Sequence, residues 1–170
     1  MWKSFGLALA ALPLLAGCDE KIERVEDLSR RIVKVEKTNV LGKGERLEIT
    51  YFEKDILSEK AFVSGLAFDA IKINKGIVAN WPDKYFEVLY FFKAPTTDKF
   101  GQSGDALALK VKWDVADLKK VNWDNFTAWG MLSIASDVQF KPLGRQAVTA
   151  YCSDEDNLRY AIDFCRRLIL

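Results

Sequence analysis

The chain contains no histidine among its 170 residues. That absence removes Ser-His-Asp and Cys-His nucleophile systems as they are normally built, and with them the His-containing zinc sites. It also removes the commonest general base at neutral pH. Glycine-rich phosphate loops, a Gly-x-Ser-x-Gly elbow and kinase motifs are absent too. No apolar run reaches the roughly 20 residues that a bilayer core requires. No sign of charge dominates, because 25 basic residues face 24 acidic ones, a net charge of +1. Without a basic stripe there is no footprint for nucleic acid, which needs clustered Lys and Arg to displace counterions. With 4 prolines, 10 glycines and no repeat or low-complexity tract, no linker divides the chain.

What is present begins at the N-terminus. One early cation, Lys3, precedes a short apolar run over residues 5–15, and Leu14-Leu15-Ala16-Gly17-Cys18 follows, leading into Asp19-Glu20-Lys21. This segment resembles a bacterial lipoprotein signal peptide, and the pentad is similar to a lipobox. The resemblance implies cleavage after Gly17, a diacylglycerol in thioether linkage on Cys18 and an acyl chain on its new amino group. It implies a mature protein moored to the periplasmic face of a bacterial membrane; Asp19 resembles the enteric signal for retention at the inner membrane, and the outer membrane is the alternative. Several chains at one point make such an anchor lasting, because each buried methylene contributes about 0.8 kcal/mol. The expected division is a signal peptide over 1–17, an anchor-proximal helix over 18–40 and a single domain over 41–170. No cofactor is expected beyond the covalent lipid, and no metal.

Two cysteines remain, Cys152 and Cys165. In an oxidising compartment a bridge is the default. Residues from 153 onward read as a helix with Leu158, Ala161, Ile162, Cys165, Leu168 and Ile169 on one face. A helix starting at 153 would place Cys165 roughly 17 Å beyond its start, whereas a disulfide needs Cα atoms within about 7 Å. The bridge is therefore expected together with a helix start near Asn157, and two unpaired core cysteines are the alternative.

The rest of the pattern predicts an α+β domain: a small antiparallel sheet of three to four strands with helices on one face. Residues 19–37 read as a helix through the pairs Glu20/Arg24, Glu26/Arg30 and Asp27/Arg31, although 31–35 alternatively reads as a strand. Residues 46–53 alternate as a half-buried strand, and 58–81 read as a long helix capped by Ser58 and stopped by Pro82. A break is expected at Gly76. Residues 85–93, apolar on both sides, read as a central strand, paired through a long loop with a strand over 105–114. A helix over 122–137, a short strand over 146–151 and the C-terminal helix complete the order.

The loop over 94–105 is the best surface candidate, with Asp98, Phe100 and Asp105 as its interaction residues. Asp98 and Asp105 do not match a calcium-loop pattern, and an Asx-capped hairpin loop accounts for them. Asp154-Glu155-Asp156 reads as decoration of a helix first turn. Trp81, Trp113, Trp123 and Trp129 read as core residues rather than a sugar platform. A non-enzymatic, lipid-anchored protein working through protein–protein contact is expected, in an envelope accessory, exclusion or immunity-type role. The alternative is a module that binds a lipid, peptidoglycan fragment or sugar between strand 85–93 and helix 58–81.

Overall fold

Ser58 begins the longest element as expected. Its side chain accepts a hydrogen bond from the Ala61 amide at 3.1 Å and opens α1, Glu59–Asn80. The computed structural model describes residues 22–54 and 58–168. At about 1.5 Å per residue this 22-residue helix carries the chain some 33 Å. It returns the chain toward the starting end of the preceding strand, β2 (Gly44–Phe52), so that β3 (Tyr85–Thr97) pairs with β2 in parallel. The sheet is therefore mixed and five-stranded, where a smaller antiparallel one was expected. β1 (Ile32–Val40), β2, β3, β4 (Ser103–Asp114) and β5 (Asp137–Phe140) lie in sequence order, and every pair except β2–β3 is antiparallel. The class, α+β in one domain, stands.

The N-terminal part of the described chain departs from the expected helix over 18–40. Val25–Leu28 forms a single 3-10 turn, and β1 follows. The i,i+4 ion pairs that favoured a helix contribute only about 0.2–0.5 kcal/mol each. A ladder to β2 over Ile32–Val40 outweighs them, turning at Gly42 where φ is 75°. Residues 1–21, and with them Cys18 and Asp19, lie outside the described residues.

α1 lays Phe62, Val63, Leu66, Ala67, Ala70, Ile73 and Ile77 on the sheet, against Leu47, Ile49, Tyr51, Val88, Tyr90, Phe92, Leu109, Val111 and Trp113. The aromatic rings interlock. Tyr90 stacks on Phe92 at 5.3 Å and meets Trp113 edge-on at 5.1 Å, and Tyr51 meets Phe92 edge-on at 5.1 Å. A buried amide between the layers, Asn74, accepts from the Tyr90 hydroxyl at 2.8 Å. The space between strand 85–93 and helix 58–81 is thus occupied by packed side chains. Gly76 does not break α1. It lets Leu28 of the 3-10 turn lie on the helix, in space that a Cβ would enter at 2.3 Å.

Four short helices follow α1's side of the sheet: α2 (Val115–Leu118), α3 (Ala128–Ser133), α4 (Pro142–Cys152) and α5 (Glu155–Tyr160), with α6 (Ile162–Arg166) last. α4 replaces the strand expected over 146–151, and α3 with β5 replaces the helix expected over 122–137. β4 carries one extra residue, Ala108, opposite the Phe92–Lys93 step, and its carbonyl accepts from the Lys141 amide at the start of α4. There α4 passes so close that a Cβ on Gly144 would meet the Ala108 oxygen at 2.0 Å. Alanine normally gains about 1 kcal/mol over glycine inside a helix. Here Gly144→Ala is expected to destabilise by about 1–3 kcal/mol, because backbone must give way. A urea midpoint equal to or above that of the parent would contradict this packing.

Burial also fixes the protein's response to alkali. Tyr90 ionises well above the usual phenol pKa of 10.0 because it is desolvated, and Tyr51 does so through burial and then its bond to Asp69. Burial likewise pushes Tyr151 up to about 12. A raised folded-state pKa means stability that is complete below pH 10 and lost as pH rises, since the unfolded chain releases those protons first. Phenolate absorbance between pH 10 and 12 is therefore expected to lag the full set of 5 tyrosines and to complete itself in a cooperative step with unfolding. Smooth titration of all of them near pH 10, with the near-ultraviolet dichroism unchanged, would contradict it.

Candidate functional site

On the outer side of the helical layer lies an apolar groove of about 670 Å³. α1 supplies one wall with Ser64, Phe68, Ile71, Lys72 and Lys75; the opposite wall is Phe126, Thr127, Ala128 and Trp129, with Tyr151 and Asn157 closing one end. Phe68 stands 64% exposed, away from the face that α1 buries. Local chemistry fixes the second wall. Thr127 caps α3 by accepting from the Gly130 amide at 3.1 Å, and the Phe126 ring folds over Gly130, which a Cβ would approach to 2.9 Å. Trp123 backs Phe126 edge-on at 5.9 Å.

Asn157 ties the end of the groove together. Its side-chain oxygen accepts from the Trp129 indole N–H at 2.9 Å, and its amide donates to the Tyr151 carbonyl at 3.1 Å. Asp154 caps α5, accepting from the Asn157 amide, and pairs with Lys60 at 3.2 Å. Its carboxyl is held below the usual range, first by Lys60 and then by that backbone donor. The acidic run thus serves as a helix start, as expected. Among the described residues no group of three or more Asp, Glu or Cys is placed to hold a metal ion.

Cys152 and Cys165 stand at bonding distance, with Cα atoms 5.7 Å apart. The helix does not start late, at Asn157. It starts at Glu155 and breaks at Ala161 (φ −114°, ψ 37°), so α6 doubles back toward the end of α4. The break also turns Leu158 and Ile162 outward, at 49% and 39% exposure, where a continuous helix had placed them on the buried face.

The candidate loop is tighter than its sequence suggests, because β3 and β4 extend to Thr97 and Ser103. Asp98 accepts from the amides of Phe100 and Gln102 at 2.8 and 2.9 Å, so its carboxylate holds the loop's own backbone. Asp105 pairs with Lys93 at 3.2 Å, and Phe100 projects into solvent with the Lys99 ammonium 4.9 Å from its ring centre. The structure does not bring these three together as a site. Trp113 is wholly buried, while Trp81, Trp123 and Trp129 pack partly against the core.

Sequence reasoning also missed a polar cluster at the entry of β1. Arg31 reaches Glu53 at 2.9 Å and Asp69 at 2.8 Å, and the Tyr51 hydroxyl donates to Asp69 at 2.6 Å. Two carboxylates near a tyrosine invite a hydrolytic reading. Arg31 engages both of them, however, and neither lines the groove, so the cluster joins β1, β2 and α1. Among the described residues, the opposite face of the sheet carries no helix. There Glu87 is buried between Arg46 and Lys112, and Lys110 lies over the Phe91 ring at 5.2 Å. A depression of about 390 Å³ beside the 3-10 turn is lined largely by Glu23, Arg24, Glu26, Lys37 and Lys84, a mixed-charge surface. No described helix is long and apolar enough to cross a membrane.

Comparison of the chain with protein-family models, curated proteins and solved structures finds no match.

Proposed function

We propose that the mature protein begins at a lipidated Cys18, stands on the periplasmic face of a bacterial membrane, the inner one by virtue of Asp19, and acts without chemistry of its own by binding a protein partner. The role is that of an envelope accessory, exclusion or immunity-type protein. Support for the anchor is the Leu14-Leu15-Ala16-Gly17-Cys18 segment. The observation that carries the contact reading is the aromatic lining of the groove, exposed Phe68 facing half-buried Trp129 and Phe126, on a layer whose other large side chains are mostly packed inward. Apolar surface of that kind, held open by caps and side-chain hydrogen bonds, marks an interaction face.

Three residues, 19–21, separate the acylated position from Ile22, which already packs against the core. The four Cα–Cα steps from Cys18 to Ile22 span at most about 14 Å. The body therefore rests close to the bilayer and meets partners in or beside the membrane rather than at the end of a stalk. Native mass spectrometry of the lipidated protein, released from its own membrane in mild detergent, tests the reading. A stoichiometric protein complex is expected. A single copy carrying a stoichiometric small molecule would contradict it.

A further inference from the structure

We infer that the groove between α1, α3 and α5 seats an acidic amphipathic helix of a partner protein, an inference that rests on the protein-contact reading above. The lining is apolar, yet the trough does not enclose what would fill it. Phe68 forms one wall and is still about two-thirds exposed, so only an occupant broader than the groove covers its outer side. The apolar surface also continues past the trough. Tyr160 lies 4.8 Å from Trp129, ring to ring, and Leu158 and Ile162 are exposed on the same segment. A small ligand sunk between the walls would leave all of this uncovered.

Charge then selects the partner. The charged side chains in the lining are Lys72 and Lys75, one turn apart on α1. Lys75 reaches Asp124 only at 3.7 Å, with both side chains largely exposed, a pair of little energetic weight. Lys72 has no carboxylate partner among the described residues. Two cations along an apolar trough complement carboxylates flanking an apolar stripe. A second copy of this chain placed across a two-fold axis would instead set the lysines of one trough against those of the other, with Asp124 at the rim offsetting only part of that charge. Among the described residues no β-strand borders the trough, so an incoming segment finds no free ladder there and must satisfy its own backbone, as a helix does.

The test uses the lipidated full chain in intact cells, with Phe68 replaced by a photoreactive benzoylphenylalanine, and separately Lys110 on the open sheet face and Phe100 in the hairpin loop. Irradiation from position 68 is expected to give an adduct with a protein whose linked peptide, read by mass spectrometry, has acidic residues beside apolar ones at i, i+3 and i+4 spacing. Lys72→Glu with Lys75→Glu is expected to cut that adduct by about tenfold or more, with near-ultraviolet dichroism unchanged because both side chains are exposed. An adduct to phospholipid, an adduct to a second copy, or a yield unmoved by charge reversal would each overturn the groove assignment. If position 68 is silent while position 110 or 100 captures a protein, the groove fails and the contact reading survives. Silence from all three positions overturns both.

Discussion

Trp113→Ala is expected to destabilise the protein by about 3–5 kcal/mol. Total stabilities of domains this size run to about 5–15 kcal/mol, so the variant should be partly unfolded at room temperature or close to it. Trp113 is the largest wholly buried side chain among the described residues and stands on β4 where the ring of Tyr90 meets it edge-on. Its indole N–H donates to the Met131 carbonyl at 2.9 Å, so it joins the sheet to α3. Alanine removes the ring contact, opens a cavity and orphans a buried acceptor together. Trp113→Phe separates these losses: most of the volume remains, and the cost should fall to about 1–3 kcal/mol, the range for an unpaired buried polar group. Denaturant midpoints of the two variants check the ordering. Equal losses would mean that the hydrogen bond, rather than the packing, carries the effect.

Removal of the Cys152–Cys165 bridge is expected to cost about 2–4 kcal/mol. The link closes a loop with a sequence separation of 13 and holds α6 against the end of α4. The effect should be local first. α5 has no buried residues of its own and depends on Asn157 and on its neighbours for its place. The reduced protein, or Cys152→Ala with Cys165→Ala, should therefore lose amide protection over 155–166 before the sheet does. Trp129 fluorescence should change with it, because Asn157 no longer holds the indole. Protection lost uniformly across the chain, or not at all, would contradict this view of the C-terminal segment.

Periodicity and caps were readable where local and global preferences agree. Ser58 and Pro82 bracket α1, and the doubly apolar 85–93 run lies at the centre of the sheet. Three features were not readable, each for a physical reason. β1 looked helical because its charges pair at i,i+4, while its partner strand lies beyond a turn and outweighs them. Pro142 falls between the helix expected over 122–137 and the strand expected over 146–151, yet its fixed φ suits the first position of a helix, and it opens α4 there. The parallel β2–β3 pair follows from the length of α1, a signal present in the sequence but masked by the prominent β3–β4 hairpin.

The groove was half visible. Phe68 falls off the apolar stripe of α1, and an aromatic residue on the wet side of a helix is the mark of a second surface. Its opposite wall, residues 126–129, and its closed end, Tyr151 and Asn157, lie 58 to 89 positions beyond Phe68, brought there by the fold, and no local pattern announces them. The loop holding Asp98, Phe100 and Asp105 drew attention by composition alone. Its carboxylates turn out to be engaged within the hairpin itself.

Most of the functional account depends on the state of one thiol. Mass spectrometry of the N-terminal peptide, taken from the membrane fraction of the cells that make this protein, tests it directly. The expected result is a chain beginning at Cys18 with diacylglycerol on its sulfur and an acyl group on its nitrogen, and a Cys18→Ala variant that leaves the membrane. An unprocessed N-terminus with a free Cys18 thiol, or a Cys18→Ala variant that still fractionates with the membrane, would contradict it.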